Sequence, residues 1–571
     1  MIKRSFTLEK ALWLGALIMM IFMRIMLLNQ PTLNDSEASL ALQAVHLANG
    51  EKSILLDNPL YVLVTGALFR FFGSTTFLAR FLPMLAGIGL LGVVYLLRNR
   101  LGRETTLIAA WLLAIDPGFV AASRQVDSPI MGMFFFLLLY ALLENKKAIL
   151  AGFVFGLGLL TGISFWQGII YSVIVIGVWK ILLWKDGDEP WKWLKQKVIL
   201  FWQDKGWIGF LGGVLVAGTM IFWVPTATGD IFSGIVDYFA GWGNGYHNSV
   251  LQLLVLIPVY ELIPLILGLV YGISATIRKN RTAQYLLLFW FIAIFMTLSY
   301  PGRIILDMIW VILPLILLAA EGLFELLSII REAWLPTMGL GVAIALLITF
   351  AIYSGLLIVT LGAGERELEA RIVSLVGALV IAGVLVGMMV WAWSGMVGFS
   401  GLTVGLLIVG SFFTASQAWK AAGLGAHPEM ELWRNSSRVN DADLLVKTLE
   451  SISSWNNGVK TETPIALVNF TSPSIQWELR NFSFVQQYSA FPVGQNPEIV
   501  ITPIGEQPLS TESYTGQDFV WQKDSEWGSL TNQEWMKWFI KRQVTQTKQT
   551  IILWARTDIL PAGKADSGGT K

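Results

Sequence analysis

The chain has 571 residues, 55% of them hydrophobic and 14% charged, with a mean hydropathy of +0.62. Soluble domains carry about 25% charged residues, so a soluble globular chain is excluded. A net charge of +1 gives no bulk attraction for nucleic acid, and the absence of cysteine rules out disulfides, thiolate metal sites and a cysteine nucleophile.

Repeated apolar runs of about 20 residues are long enough to cross a bilayer, and must do so as helices because backbone polar groups in lipid have to be satisfied within the segment. The N-terminal MIKRSFTLEK precedes the first run, and no small-residue cleavage site follows Met26-Leu27-Leu28, which reads as a retained anchor. About thirteen spans are expected, centred near residues 19, 87, 113, 136, 155, 174, 216, 261, 291, 312, 348, 382 and 409, giving a polytopic α-helical membrane protein. One set of loops carries Arg98, Arg100 and Arg103, then Lys146 and Lys147, then Lys185 to Lys197, then Arg278, Lys279 and Arg281. With Lys3 and Arg4 this places the N-terminus in the cytoplasm. The alternate loops, including 29–76 and 225–249, then face outward, and an odd number of spans leaves the C-terminal portion outside.

That portion begins near Ala421, where the chain turns polar and Trp-rich. PIALVNF (464–470), EIVITPI (498–504) and TIILWAR (550–556) read as buried strands, while 440–455 and 531–543 read as helices. Residues 1–420 are therefore expected to form a transmembrane domain, and 421–571 an extracytoplasmic α/β domain ending in a disordered tail, PAGKADSGGTK.

The first outer loop carries Asp35, Glu37 and Asp57 around a short amphipathic pattern, Ala38 to Ala48, stopped by Asn49-Gly50. Its apolar residues share one helical face, so the helix would lie in the interface plane. Asn34 suits an N-cap and Glu37 its capping-box partner. A cap can also position a carboxylate, so catalysis by Asp35 or Glu37 stays open beside the structural role. Asp35-Ser36-Glu37 is also a loose D-x-D pattern; no cofactor is certain, and Asp35 and Glu37 would be the ligands of a divalent cation if one binds. The three histidines show no metal-site spacing.

Further on, DNPLYVLVTGALFRFFGSTTFLARFLPMLAG (57–87) is followed by DPGFVAASRQVDSPIMGMFFFLLLYALL (116–143), with Arg124 and Asp127 on the outer face before a span. SYPGRIILDMIWVILPLILLAAEGL (299–323) then places Arg303 at an outer helix end and Asp307 about one turn deeper. This order resembles the GT-C superfamily of polyprenyl-phosphate-sugar-dependent glycosyltransferases, in the protein O-mannosyltransferase and aminoarabinose-transferase branch (glycosyltransferase family 39-like). The likeness covers residues 1–325 and departs from the family pattern at two points. The family's adjacent Asp-Glu is split here as Asp35-Ser36-Glu37, and DNPLY has Asp57 and Asn58 in place of His-Pro.

The resemblance implies a membrane glycosyltransferase of the cell envelope or of protein glycosylation. A monosaccharide would leave a polyprenyl-phosphate donor for a hydroxyl of an acceptor protein, lipid or glycan at the outer face of a prokaryotic plasma membrane. By resemblance Asp35 is the general base and Glu37 its alternative or helper. Arg303 suits the lipid phosphate, with interfacial snorkelling as its other reading. Arg124 and Asp127 would pair and hold their loop, and the intramembrane Asp307 would serve the substrate or pair with Arg303. Loop 225–249, with Asp230, Trp242, Tyr246 and His247, fits either a cover over the substrate or an interfacial aromatic belt. Asn435, Asn469 and Asn481 head N-x-S/T patterns. Two other classes compete: a lipid or solute transporter or flippase, and a non-catalytic scaffold whose outer domain binds glycans or partners. Trp477, Trp521, Trp527, Trp535, Trp538 and Trp554 of that domain fit either stacking on sugars or packing in a core or against the membrane.

Overall fold

The computed structural model describes residues 8–30, 32–51, 58–182, 189–217, 219, 232–245, 248–330, 333–360, 365–492, 495–510 and 512–560. Helix α1 (Leu8–Ile25) is followed by α2 (Asp35–Ala48), α3 (Pro59–Phe72), α4 (Thr76–Ala79), α5 (Phe81–Leu96), α6 (Arg98–Leu101), α7 (Arg103–Ile115) and α8 (Pro117–Ala122). Next come α9 (Ile130–Glu144), α10 (Ala148–Leu159), α11 (Ile163–Leu182), α12 (Glu189–Gln203), α13 (Gly206–Leu211), α14 (Ser233–Ala240), α15 (Val250–Tyr260), α16 (Leu262–Ile277) and α17 (Arg281–Ser299). A single turn, Ile305–Met308, opens α18 (Ile309–Ile330), and α19 (Trp334–Thr360), α20 (Glu365–Ala392) and α21 (Gly395–Ala421) complete the bundle.

Among the described residues, six helices are long and apolar enough to cross a membrane: Ile163–Ile181, Arg281–Ser299, Ile305–Ser328, Trp334–Ile358, Glu367–Ala392 and Gly395–Ala421. The pair α15–α16, bent by 87°, makes a seventh if its halves count as one span. This corrects the expected count of about thirteen. The runs near 87, 113, 136 and 155 are helices of 16, 13, 15 and 12 residues. At 1.5 Å per residue the longest of these reaches about 24 Å, short of a hydrocarbon core about 30 Å thick. The run near 216 is a six-residue α-helix continued by a π-helical turn, and α1 carries Glu9, Lys10 and Arg24 within its 18 residues. Hydropathy registers apolar residues but not helix breaks. Asp116 is extended because the following Pro117 disfavours helical geometry in the residue before it, which ends α7. Gly162, at φ +74°, lies in the left-handed region just beyond α10. Of the six spans the one containing α18 is the most enclosed, with 61% of its window buried, and its first turn reaches the site described below.

The C-terminal residues fold into a six-stranded sheet: β1 (Arg438–Val439), β2 (Ile465–Val468), β3 (Val485–Tyr488), β4 (Ile499–Pro503), β5 (Tyr514–Ser525) and β6 (Gln546–Arg556), in the order β1-β5-β6-β4-β2-β3. Strand β2 runs parallel to both neighbours, with Ile465 opposite Val485 and Ile499, and β5–β6 form a long antiparallel pair. The apolar runs read from the sequence are β2, β4 and β6, and all four residues of β2 are buried, as expected of a strand covered on both faces. Helices α22 (Ala442–Asn457) and α23 (Pro473–Leu479) supply Leu445, Leu449, Ile475 and Leu479 to a core with Ile465, Ile499, Phe519 and Trp521. Helix α24 (Asn532–Lys541) starts on a capping box from Thr531 and Glu534. Trp477, Trp521 and Trp538 are fully buried, so these rings serve packing rather than sugar stacking at a surface.

Candidate active site

The site assembles where the start of α2, the α8–α9 loop, the end of α21 and the connector to β1 meet. Asn34 caps α2 by accepting from the Glu37 backbone N–H at 2.9 Å, and Glu37 Oε2 accepts from the Asn34 N–H at 3.3 Å. The sequence pattern for this capping box is realised. The Glu37 carboxylate does more than cap. Arg80 clamps it from Nε to Oε1 at 2.9 Å and from Nη2 to Oε2 at 2.6 Å, and the Val126 N–H donates to Oε1 at 3.1 Å. Each oxygen thus accepts two hydrogen bonds, which fills the roughly four acceptor sites of a carboxylate. Both side chains are buried, at 1% and 3% exposure for the residues, so Glu37 is placed as the anchor of the loop-to-loop contact.

Asp35 faces the start of α23 and strand β5 of the C-terminal residues. Its Oδ1 accepts from Ser472 Oγ at 2.6 Å and from the Ser474 N–H at 2.9 Å, and its Oδ2 accepts from Gln522 Nε2. Burial works to raise its pKa, but the hydrogen bonds from Ser472, Ser474 and Gln522 outweigh it and hold the carboxyl below the ordinary carboxylate value. A depressed pKa stabilises the folded state above the unfolded-state value near 4, and that contribution is lost as pH falls through the lowered value. Asp35→Ala is accordingly expected to weaken the seating of the sheet on α2 by about 1.5–3 kcal/mol at pH 7. Thermal unfolding and protease cleavage of residues 424–437 would show it, and wild type should approach the variant as pH drops below about 4; identical midpoints at pH 7 would remove this role.

Arg124 and Asp127 do not pair. Arg124 donates from Nε to the Ala422 carbonyl at 3.0 Å and from Nη1 to the Met23 and Arg24 carbonyls at 3.3 and 3.0 Å. It therefore satisfies carbonyls at the ends of α1 and α21, where a cation also suits the helix dipoles. Asp127 Oδ2 instead accepts from Ser36 Oγ at 2.6 Å and from Asn435 Nδ2 at 3.0 Å, while its Oδ1 is buried without a partner. Burial, with the Glu37 charge second, raises the Asp127 carboxyl to about 6, against the pull of Ser36 and Asn435.

Beside these acids lies a cavity of about 30 Å³ lined by Arg80, Arg124, Arg434, Arg438, Glu37 and Gln125, among others. Glu37 is spent on Arg80, and among the described residues Arg124, Arg434 and Arg438 form no ion pair. Burial is the main reason that Arg124 falls to about 9 and Arg434 to about 10, and that Arg438 is lowered. Repulsion adds to it, from Arg80 and Arg434 at Arg124 and from Arg438 at Arg434, against the pull of Glu37 and Glu431 at Arg434, while at Arg438 the attraction of Glu429 comes ahead of the repulsion from Arg80. Crowded guanidiniums of this kind call for an anion. Sequence reasoning missed Arg80, Arg434, Arg438, Ser36 and Asn435 as site residues. Arg434 and Arg438 sit in WRNSSRVN, at the edge of the composition change, and only the asparagine there drew notice.

The other expected site residues lie elsewhere. Arg303 is buried and donates to the carbonyls of Asn248, at 3.2 and 2.7 Å, Leu298, at 3.1 Å, and Tyr300, at 3.2 Å, tying the segment after α14 to the end of α17. Asp307 caps its own turn by accepting from the Ile304 N–H at 3.0 Å, so these two residues turn to different partners. Asp57, Asp230, Tyr246, His247 and the tail 561–571 lie outside the described residues. Asp35 and Glu37 point their oxygens to separate sets of donors and do not converge as a cation site; among the described residues no group of three or more His, Asp or Glu could hold a metal.

A family model described as dolichyl-phosphate-mannose-protein mannosyltransferase matches residues 57–203. The whole fold is similar to the crystal structure of ArnT from Cupriavidus metallidurans bound to undecaprenyl phosphate, at 12% identity and a TM-score of 0.53, covering 97% of this chain and 99% of that one. The chain has the fold of the GT-C membrane glycosyltransferases. The apo form of the same ArnT gives a TM-score of 0.54 at 12% identity, covering 95% of this chain and 97% of that one. No curated protein matches in sequence. The matched segment holds Arg80, Arg124 and Asp127 of the candidate site, whereas Asp35 and Glu37 precede it and Arg434, Asn435 and Arg438 follow it.

Proposed function

We propose that the protein is a membrane glycosyltransferase that moves a monosaccharide from a polyprenyl-phosphate donor to an acceptor hydroxyl at the extracytoplasmic face. The observation that carries this reading is the arginine-lined cavity, whose wall residue Gln125 lies two positions before Asp127, a carboxyl with one buried and unpartnered oxygen. A polyprenyl phosphate is also the ligand bound to the structurally similar ArnT. In the reaction the acceptor oxygen bonds to the anomeric carbon, the bond from that carbon to the phosphate oxygen breaks, and the phosphate gains one negative charge. Arg124, Arg434 and Arg438 would meet that growing charge from fixed positions, which stabilises the transition state more than the ground state. Asp127 would take the acceptor proton through Oδ1. Glu37 and Asp35 hold this arrangement: Glu37 fixes Arg80 and the loop before Asp127, and Asp35 seats the sheet whose first strand carries Arg438. The N-terminus would be cytoplasmic and the sheet extracytoplasmic. Any class offering a hydroxyl there, whether protein, lipid or glycan, would serve as acceptor.

The test is transfer from labelled polyprenyl-phosphate monosaccharides in membranes containing the full chain, wild type beside Arg434→Gln and Arg438→Gln. Each variant removes charge-assisted hydrogen bonds worth about 1.5–3 kcal/mol, so a donor KM raised about tenfold or more is expected. Folded wild type that transfers from none of these donors would overturn the reading.

A further inference from the structure

We infer that Asn435 is a positioning residue for sugar transfer, holding the Asp127 carboxylate so that only Oδ1 faces an incoming hydroxyl. This rests on Asp127 taking the acceptor proton, as proposed above. Asn435 lies in the connector between α21 and β1, far from Asp127 in sequence. Its Nδ2 donates to Asp127 Oδ2 at 3.0 Å and to the Asp127 carbonyl at 3.5 Å, while its Oδ1 accepts from the Leu306 N–H at 3.4 Å. The two ends of the amide therefore have opposite requirements. Turning it over would set Oδ1 against a carboxylate and Nδ2 against an N–H, so the orientation follows from the network.

Ser36 Oγ lies 2.6 Å from the same Asp127 oxygen, 2.8 Å from Asn34 Oδ1 and 3.0 Å from Ser436 Oγ, and its single proton goes to the carboxylate, the strongest acceptor of the three. Two donors converge on Oδ2 and none reaches Oδ1, which stays buried and unpartnered. That asymmetry is what a general base needs: one oxygen anchored, the other ready for the proton. The Leu306 contact extends the anchor to the first turn of the most enclosed span. Because the Nδ2 group is committed inward, the N-x-S pattern at Asn435 is accounted for by this contact rather than by a surface modification.

Charged groups on the segments meeting at Asp127 are Asp35, Glu37 with its Arg80, Arg124, Glu431, Arg434, Arg438, Arg303 and Asp307. None of them is altered by changing Asn435, so a shift in titration can be traced to the lost donor. Hydrogen bonds from Ser36 and Asn435 favour the ionised carboxyl. Removing one raises the pH at which the base becomes available.

The experiment is the pH profile of transfer by the purified full chain, for wild type, Asn435→Ala, Asn435→Ser and Asp127→Asn, with thermal midpoints as a folding control. The acid limb of Asn435→Ala should move upward by about one to two pH units, with the donor KM unchanged. Asn435→Ser, too short to span both partners, should move the same way and carries the test if the alanine variant does not fold. A merely structural asparagine would lower the midpoint and leave the limb in place; an unmoved limb in a folded variant overturns the inference. Failure of the underlying reading looks different: Asp127→Asn would then keep wild-type transfer and the wild-type limb, whatever the Asn435 variants do.

Discussion

Glu37→Gln is expected to destabilise the protein by about 3–5 kcal/mol, the cost of breaking a buried ion pair while one partner stays behind. Arg80 would lose its bidentate carboxylate at 3% exposure and keep its charge. An amide cannot replace what is lost, because it offers one acceptor oxygen where Arg80, Val126 and Asn34 present four donor contacts. Its NH₂ group would face donors. Thermal or denaturant unfolding in detergent measures the effect, and Arg80→Gln should be similarly costly. The double variant should cost less than the sum of the two, since the charge left unpaired in each single variant is then gone. A Glu37→Gln protein with a wild-type midpoint but no transfer would return Glu37 to the role of base and remove the anchor assigned to it.

The two carboxylates of the first outer loop show how far a sequence can be read. The pattern Asn34 to Glu37 announces a helix start, and the helix starts there, with Asp35 and Glu37 both in its first turn. What the pattern does not hold is where each side chain goes, since that depends on Arg80, Val126 and, more than 400 positions away, two serines at the start of α23 and one residue of β5. Arg124 and Asp127 are one helical turn apart and look like a pair, yet backbone carbonyls at the ends of α1 and α21 claim the arginine first. The arginine cavity is wholly tertiary: its four cations come from three stretches far apart in sequence, Arg80, Arg124 and the pair Arg434 and Arg438. Three of the six strands, β2, β4 and β6, were legible because short apolar runs between polar turns have few other uses outside a membrane, whereas β1, β3 and β5 carry too few apolar residues to stand out. The number of spans was not, because a hydropathy window averages over breaks at Asp116, Gly162 and Glu261 that end helices before they reach crossing length.

Asp127→Asn should lower transfer by about 10²–10⁴-fold, the usual contribution of a positioned general base, while donor KM stays near wild type because the cavity arginines are untouched. Asparagine keeps the shape and can still accept from Ser36, so a loss of rate reports the missing proton acceptor rather than a collapsed loop. The pH dependence supplies an independent sign. With the Asp127 carboxyl raised to about 6, the base is ionised above that value and protonated below it. Wild-type transfer should therefore rise with pH through about 6 and be weak in acid, and the residual rate of Asp127→Asn should lack that limb. Asp35→Asn makes the contrasting case. Its carboxylate is held below the ordinary range and its oxygens are committed to Ser472, Ser474 and Gln522, so it is ionised throughout the working range but has no place for a substrate proton. Neutralising it should cost stability and spare most of the rate. The reverse result, a rate that collapses in Asp35→Asn and survives in Asp127→Asn at equal thermal midpoints, would mean that the sheet lifts off α2 during turnover and frees Asp35 to act as the base.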